Sequence, residues 1–219
     1  MRWDFATVIE HADVLAIGAV GTLRIFAICL VLGLGLGLPV GLGRYARNPW
    51  LRAPATAFVE FFRNTPVLVQ IIWFFFALPI LLPFQIGPLT AAVLGISLNS
   101  AAFSAEIYRG GIQSIERGQW DGARALGMSW LQAMRRVILP QAIKRMLPAL
   151  ANRAIEIFKM STLASAVAYV ELLQQGKLIA SLYYNPIEVY TAVAAIFSVI
   201  LWPLVQLSYW LERRLKGGE

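Results

Sequence analysis

The chain has 219 residues, of which 58% are hydrophobic and 14% charged. A soluble domain carries about 25% charged residues, so this composition excludes a water-soluble enzyme and leaves no room for a large soluble domain beside the apolar segments. The net charge of +7 does not indicate nucleic acid, because the Lys and Arg residues fall in short stretches between apolar runs, where they orient a chain in a membrane.

Residues 1–24 carry Arg2, Asp4, Glu10, His11, Asp13 and Arg24 around a short apolar run, and are expected to lie at the membrane surface. Ile25 to Gly43 has no charge and is long enough for one span. Gly33, Gly37 and Gly41 recur every four residues in it and predict a smooth stripe for close helix contact. They do not form a nucleotide loop, since no strand precedes them. The single cysteine, Cys29, is expected to pack as a small hydrophobe. Arg44, Arg47 and Arg52 form a basic loop. No charge then occurs from Asn64 to Ala105, and Pro79, Pro83, Gly87 and Pro88 divide that run into two spans, over 57–82 and 88–108. Residues 109–147 form a basic loop. The fourth span is predicted over 149–174, where Glu156 is expected to pair with Arg153 or Lys159 at three-residue spacing. Residues 176–186 are expected to be a polar turn, 188–210 the fifth span, and 213–219 a tail. The fold class is therefore all-α: a polytopic membrane protein of five transmembrane helices, with 25–212 as its membrane domain.

Asp121 to Pro140, inside the basic loop, predicts a hinged pair of short helices. Asp121 is expected to cap the first. Gly127 stops it, because glycine enters the left-handed terminal conformation without steric cost. Ser129 starts the second, with Gln132 at capping-box spacing. Pro140 marks a break or kink. Met128, Leu131, Met134 and Ile138 form one apolar face. Such a pair suits docking into a groove on a soluble partner.

The spacing Asp121-Gly122-Ala123, three residues, Gly127, nine residues, Val137-Ile138-Leu139-Pro140 resembles the cytoplasmic loop of ABC-transporter permeases of the bacterial amino-acid importer type. Asp121, Gly122 and Val137 depart conservatively from that pattern, and Gly122 loosens the first short helix by about 1 kcal/mol relative to Ala. Arg63, Thr65-Pro66 and Gln70, with Ala105-Glu106, Arg109-Gly110 and Gly118-Gln119, are similar to further segments of the same family. The resemblance runs from about Thr22 to Arg214. It implies an importer permease with a coupling-helix loop, a dimer of such subunits (identical or paired with a sister chain), two ATPase subunits each receiving one loop, an extracytoplasmic solute-binding protein, and an amino-acid solute. It places the chain in the bacterial inner membrane.

The chain has no phosphate-binding loop, no His/Cys cluster and no Ser-His-Asp set, so no catalytic site, metal site or cofactor site is expected. ATP and Mg would be bound by the partner ATPase. Counting Lys and Arg puts Arg44, Arg47, Arg52, the 109–147 loop and Arg213, Arg214 and Lys216 on one side, and Arg2, Arg24 and Lys177 on the other. The basic side is cytoplasmic, with the N-terminus outside. Trp120, Asp121, Gly122, Ala123, Arg124, Gly127, Met128 and Leu131 are the expected ATPase-docking residues. Arg124, Arg135 and Arg136 equally suit orientation and anionic lipid.

Polar groups inside apolar runs are costly unless they face a cavity or another helix. Gln70, Asn99, Ser100, Ser104, Glu106, Lys159, Met160, Ser161 and Thr162 are therefore the candidate solute path, each Ser or Thr having a back-bond to its own helix as the alternative. Lys159 to Leu163 resembles the family's Lys-Asp-Thr-Ser-Leu, with Met160 where the family often has Asp. The missing carboxylate predicts a neutral or acidic amino acid. A secondary transporter or channel, or a membrane scaffold, are the alternatives. The first predicts paired half-repeats, and the second needs no polar residues in the spans.

Overall fold

The computed structural model describes residues 4–216. Residues 1–3 of the expected surface segment and 217–219 of the expected tail lie outside these. All regular elements among the described residues are helical.

A five-residue helix, α1 (Ala6–Glu10), leads into α2 (Ala12–Tyr45), about 51 Å long at 1.5 Å per residue. The surface segment expected over residues 1–24 is thus part of the first long helix from Ala12 onward. Arg24 interrupts the apolar run but not the helix, because it sits on an exposed face. The buried face is Leu15, Gly18, Thr22, Ile25, Cys29, Gly33, Gly37 and Gly41, spaced three or four residues apart as one stripe requires.

α3 (Pro49–Asn64) starts with the Asn48 side chain accepting from the Trp50 N–H and ends at the pre-proline residue Thr65, which is extended because Pro66 excludes the helical region there. The chain then turns by 102° into α4 (Val67–Ile72), a π-helical turn (Trp73–Ala77) and α5 (Leu78–Leu81). The second predicted span is therefore bent near its start. α6 (Pro88–Gln113) is the central helix, with Ala91, Ala92, Gly95, Ala101, Ala102 and Ala105 buried. It runs parallel to α2. A Cβ at Gly33 would lie 2.6 Å from Ser100 Cβ, one at Gly37 2.6 Å from Ser104 Cβ, and one at Gly41 2.7 Å from Ala105 O. The glycine stripe read in the sequence is this seam, where small residues let two backbones approach.

Residues 109–147 are mostly helical rather than a loop. They comprise the end of α6, α7 (Arg117–Ala125), α8 (Trp130–Ala133), a second π-helical turn (Met134–Ile138) and the start of α9 (Leu139–Met160). Each π turn ends two residues before a proline, Pro79 or Pro140. Widening the backbone there relieves the clash of the proline ring with the preceding turn. Pro140 therefore sits at an irregularity that the helix passes through, not at a break.

The fourth predicted span, 149–174, is not one helix. α9 gives way at Ser161 to a 3-10 turn (Ser161–Val167), and Ala168 in the left-handed region (φ 56°) ends it. Most of the expected polar turn, 176–183, lies in α10 (Leu172–Tyr183), which begins within the predicted span and is capped by the buried Glu171 side chain accepting from Leu173 and Gln174 N–H. α11 (Pro186–Lys216) closes the described chain and continues into the segment expected to be a tail. By length and composition α2, α6 and α11 are candidate spans, and the bent α3–α4 pair is a fourth.

Candidate functional site

Two regions concentrate the residues singled out in the sequence. The first is the helical knuckle. α7 begins at Arg117, after the Glu116 turn, so Asp121 is not its cap but lies in mid-helix, exposed, 3.7 Å from Arg124. The capping reading overlooked that Arg117 to Trp120 are already helical. The α7 end is as expected: Gly127 has φ +72°, its N–H donates to Arg124 O at 2.9 Å, and Met128 N–H donates to Ala123 O at 3.1 Å. This is a Schellman closure. Ser129 Oγ accepts from Gln132 N–H while Gln132 Oε1 accepts from Ser129 N–H, the reciprocal capping box.

The apolar face expected to run from Met128 to Ile138 divides. Met134 and Ile138 are buried with Ile112, Ile115 and Met146, and the half-buried Trp120 packs against that cluster. Leu131 is 68% exposed, Met128 is half-buried, and Gly122 and Arg124 are exposed while Ala123 is buried. The structure adds Leu126, 77% exposed, and Trp130, 59% exposed. The sequence signal for both was their position on either side of the Gly127–Ser129 hinge. Beside the knuckle is a groove of about 1180 Å³, walled by Leu42, Tyr45, Arg47, Trp120, Trp130 and Leu131 among others. It brings the end of α2 next to the hinge.

The second region lies where α3, α4, α6 and α9 meet. The predicted path residues do not form one lining. Asn99 and Ser100 are buried together against Arg153, a residue the sequence reading used only as an ion-pair partner. Arg153 Nη2 donates to Asn99 Oδ1 at 3.2 Å and to Ser100 Oγ at 3.1 Å, and Nη1 donates to Glu156 Oε2 at 2.7 Å. The pairing expected for Glu156 is therefore with Arg153. Gln70 is buried and donates to Phe62 O and Thr65 O. Ser104 is buried on the α2 seam, and its Oγ has no hydrogen-bond partner among the described residues. Ser161 Oγ donates to Phe158 O and Thr162 Oγ1 to Lys159 O, the back-bonds weighed as the alternative for each. Lys159 is exposed and Met160 half-buried.

Glu106 belongs to neither group. It accepts from Arg44 Nη1 at 2.5 Å and Arg109 Nη2 at 2.7 Å, with Arg63 Nη1 3.8 Å away, and Arg44 also reaches Glu60. A carboxylate shared by three guanidinium groups from α2, α3 and α6 is a clamp between helices. Its charge is already compensated within the chain.

A long seam of small residues, a bent second span and a hinged knuckle at one end define an all-helical membrane permease. Residues 33–217 match the family described as the binding-protein-dependent transport system inner membrane component, and the chain belongs to that family. It is similar to a probable amino-acid ABC transporter permease protein of Bacillus subtilis, with 39% identity over 82% of this chain and 79% of the relative. It is also 37% identical to a glutamine transport system permease protein of Escherichia coli, over 99% of each. A solved amino acid ABC transporter with histidines superimposes with a TM-score of 0.92 at 34% identity, over 98% of this chain and 100% of the other.

Proposed function

We propose that this chain is the permease subunit of an ATP-driven importer of amino acids. It pairs with a second permease subunit, a copy of itself or a sister chain, and takes solute from an extracytoplasmic binding protein. It carries no ATP site of its own, and ATP and Mg sit on a dimeric partner ATPase. The knuckle faces the cytoplasm, with the N-terminus outside and the C-terminus inside the bacterial inner membrane.

One observation carries the reading. Leu126, Trp130 and Leu131 project from a rigidly capped hinge beside a groove, although a polar loop in water has no reason to display three large apolar side chains in one place. Buried anchors of this kind carry interface energy. The knuckle is anchored to the helix bundle through Met134 and Ile138, so force received there passes into α9. One relative is a glutamine transport system permease, and the solved structure is an amino acid ABC transporter with histidines. The choice of a neutral or acidic amino acid rests on Met160.

Co-purification tests the docking. The ATPase should accompany the unmodified chain and be lost from Leu131→Glu, while both elute from size exclusion as folded membrane protein. Retention of the ATPase by Leu131→Glu would remove the knuckle as its docking surface. Uptake by the assembled complex tests the solute: a preference for arginine over glutamine and glutamate would end the argument from Met160.

A further inference from the structure

We propose that Arg153 is a positioning residue that ties α9 to the bend between α3 and α4, so that displacement of the knuckle alters that bend. This rests on the importer reading and adds to it the route by which movement enters the membrane domain.

The bend leaves the last carbonyls of α3 without intrahelical partners, as at any helix end. The Phe62 carbonyl in its last turn and the carbonyl of Thr65, the extended residue that follows α3, are met by side chains from other elements. Phe62 O accepts from Asn99 Nδ2 of α6 at 2.7 Å and from Gln70 Nε2 of α4 at 3.0 Å, and Thr65 O accepts from the same Gln70 nitrogen at 2.9 Å. Asn99 is the joint of the arrangement, because its other end, Oδ1, accepts from Arg153 of α9. One hydrogen-bonded chain therefore runs from α9 through α6 to the corner carbonyl. A second link follows the same route: the Phe103 ring of α6 has the Arg153 guanidinium carbon 4.6 Å from its centroid and that of Arg63, the penultimate residue of α3, at 5.0 Å.

The placement of Arg153 is costly. It is 3% exposed, its Nε has no partner among the described residues, and its one carboxylate partner, Glu156, is on the surface. An apolar side chain of similar volume would fill such a site at lower cost. What the arginine supplies instead is directional contact from α9 to Asn99, Ser100 and Phe103 of α6. α8 continues through the π turn into α9, so the exposed hinge and Arg153 lie on one nearly continuous helical rod, about 35 Å apart along its axis. A rod is a suitable carrier of displacement, and Arg153 is where it grips the bend.

The test places spin labels at the exposed residues Phe61 and Ile80, on either side of the bend, in a Cys29→Ala background. In detergent the unmodified permease should show one narrow distance distribution. Arg153→Met and Asn99→Leu should each broaden or shift it, and the double variant should do no more than either alone, because the two residues share one link. In the assembled complex, Arg153→Met should lose the nucleotide-dependent change in that distance. Uptake should fall roughly tenfold, within the usual span of coupling between sites, while basal ATP hydrolysis stays near the unmodified rate. A merely structural role would lower hydrolysis and uptake together.

An unchanged distribution in Arg153→Met, or additive effects in the double variant, would overturn the proposal. If Arg153→Met does not fold, Arg153→Lys keeps the charge but not the forked contact, and a distribution equal to the unmodified one overturns it equally. Loss of the ATPase from the unmodified chain would count against the importer reading alone, since the label distances in detergent still decide the link.

Discussion

The seam between α2 and α6 sets a sharp test because α2 carries its own control. A Cβ at Gly37 would lie 2.6 Å from Ser104 Cβ and 2.9 Å from Ala101 O, whereas a Cβ at Gly35 meets nothing within 4 Å. Carbon atoms pack at about 3.5–4.0 Å, so Gly37→Ala must part the two helices by about 1 Å or strain one of them. Overpacking of that kind costs about 1–3 kcal/mol. Both substitutions gain up to about 1 kcal/mol of helix propensity, so the difference between them isolates the seam. Thermal unfolding of the purified permease in detergent should therefore rank Gly35→Ala above the unmodified chain and Gly37→Ala below Gly35→Ala. At about 2–4 °C per kcal/mol for a chain of this size, the gap between the two variants is about 2–12 °C. Adding Ser104→Gly to Gly37→Ala removes the closest contact without breaking a hydrogen bond, since Ser104 Oγ makes none among the described residues, and should recover part of the loss. Equal melting temperatures for Gly35→Ala and Gly37→Ala would refute the reasoning.

The hinge allows a similar comparison: Gly127→Val forces a β-branched residue to φ +72° and should cost about 1–3 kcal/mol of local stability, while Gly122→Ala, with open space around its Cβ, should gain up to about 1 kcal/mol in α7. Limited proteolysis of residues 117–133 reads both, and faster cleavage of Gly122→Ala would contradict the second. Ser129→Ala removes one arm of the capping box and should cost about 0.5–2 kcal/mol, seen as faster amide exchange at Trp130 to Gln132 and not at α6. Glu106→Gln takes the shared charge from Arg44, Arg63 and Arg109. It should lower the melting temperature, at a stability cost below the roughly 3–5 kcal/mol of a fully buried broken pair because the cluster is partly exposed, and it should flatten the dependence of melting on salt. A salt dependence as steep as the unmodified chain's would show that the cluster contributes nothing.

Several features were legible because they depend on neighbours along the chain. The left-handed Gly127, the capping box of Ser129 and Gln132, the pairing of Glu156 with one of its two basic neighbours and the glycine stripe of α2 all follow from local sequence, whereas the structure chose Arg153 over Lys159. The errors have one kind of cause. Asp121 resembled a cap because the helical character of Arg117 to Trp120 has no apolar period to announce it. Arg24 resembled the end of a surface segment because hydropathy counts a charge without knowing that it lies on an exposed face. Residues 176–186 resembled a polar turn that began at Gly176, whereas Gly176 admits the side chain of Val193 and lies inside the helix Leu172–Tyr183.

By itself the amino-acid order determined that the protein is a bundle of membrane helices, where its hinge bends, and which helix face is smooth enough for close approach, since hydropathy, backbone freedom and capping act over a few residues. Only the tertiary structure decided which polar groups meet. Asn99 joins Arg153 to Phe62, and Glu106, already beside Arg109 on its own helix, also meets Arg44 and Arg63, because helices distant in sequence bring these groups together. Inside an apolar bundle each such group must find a partner somewhere, and no local pattern records which one it finds.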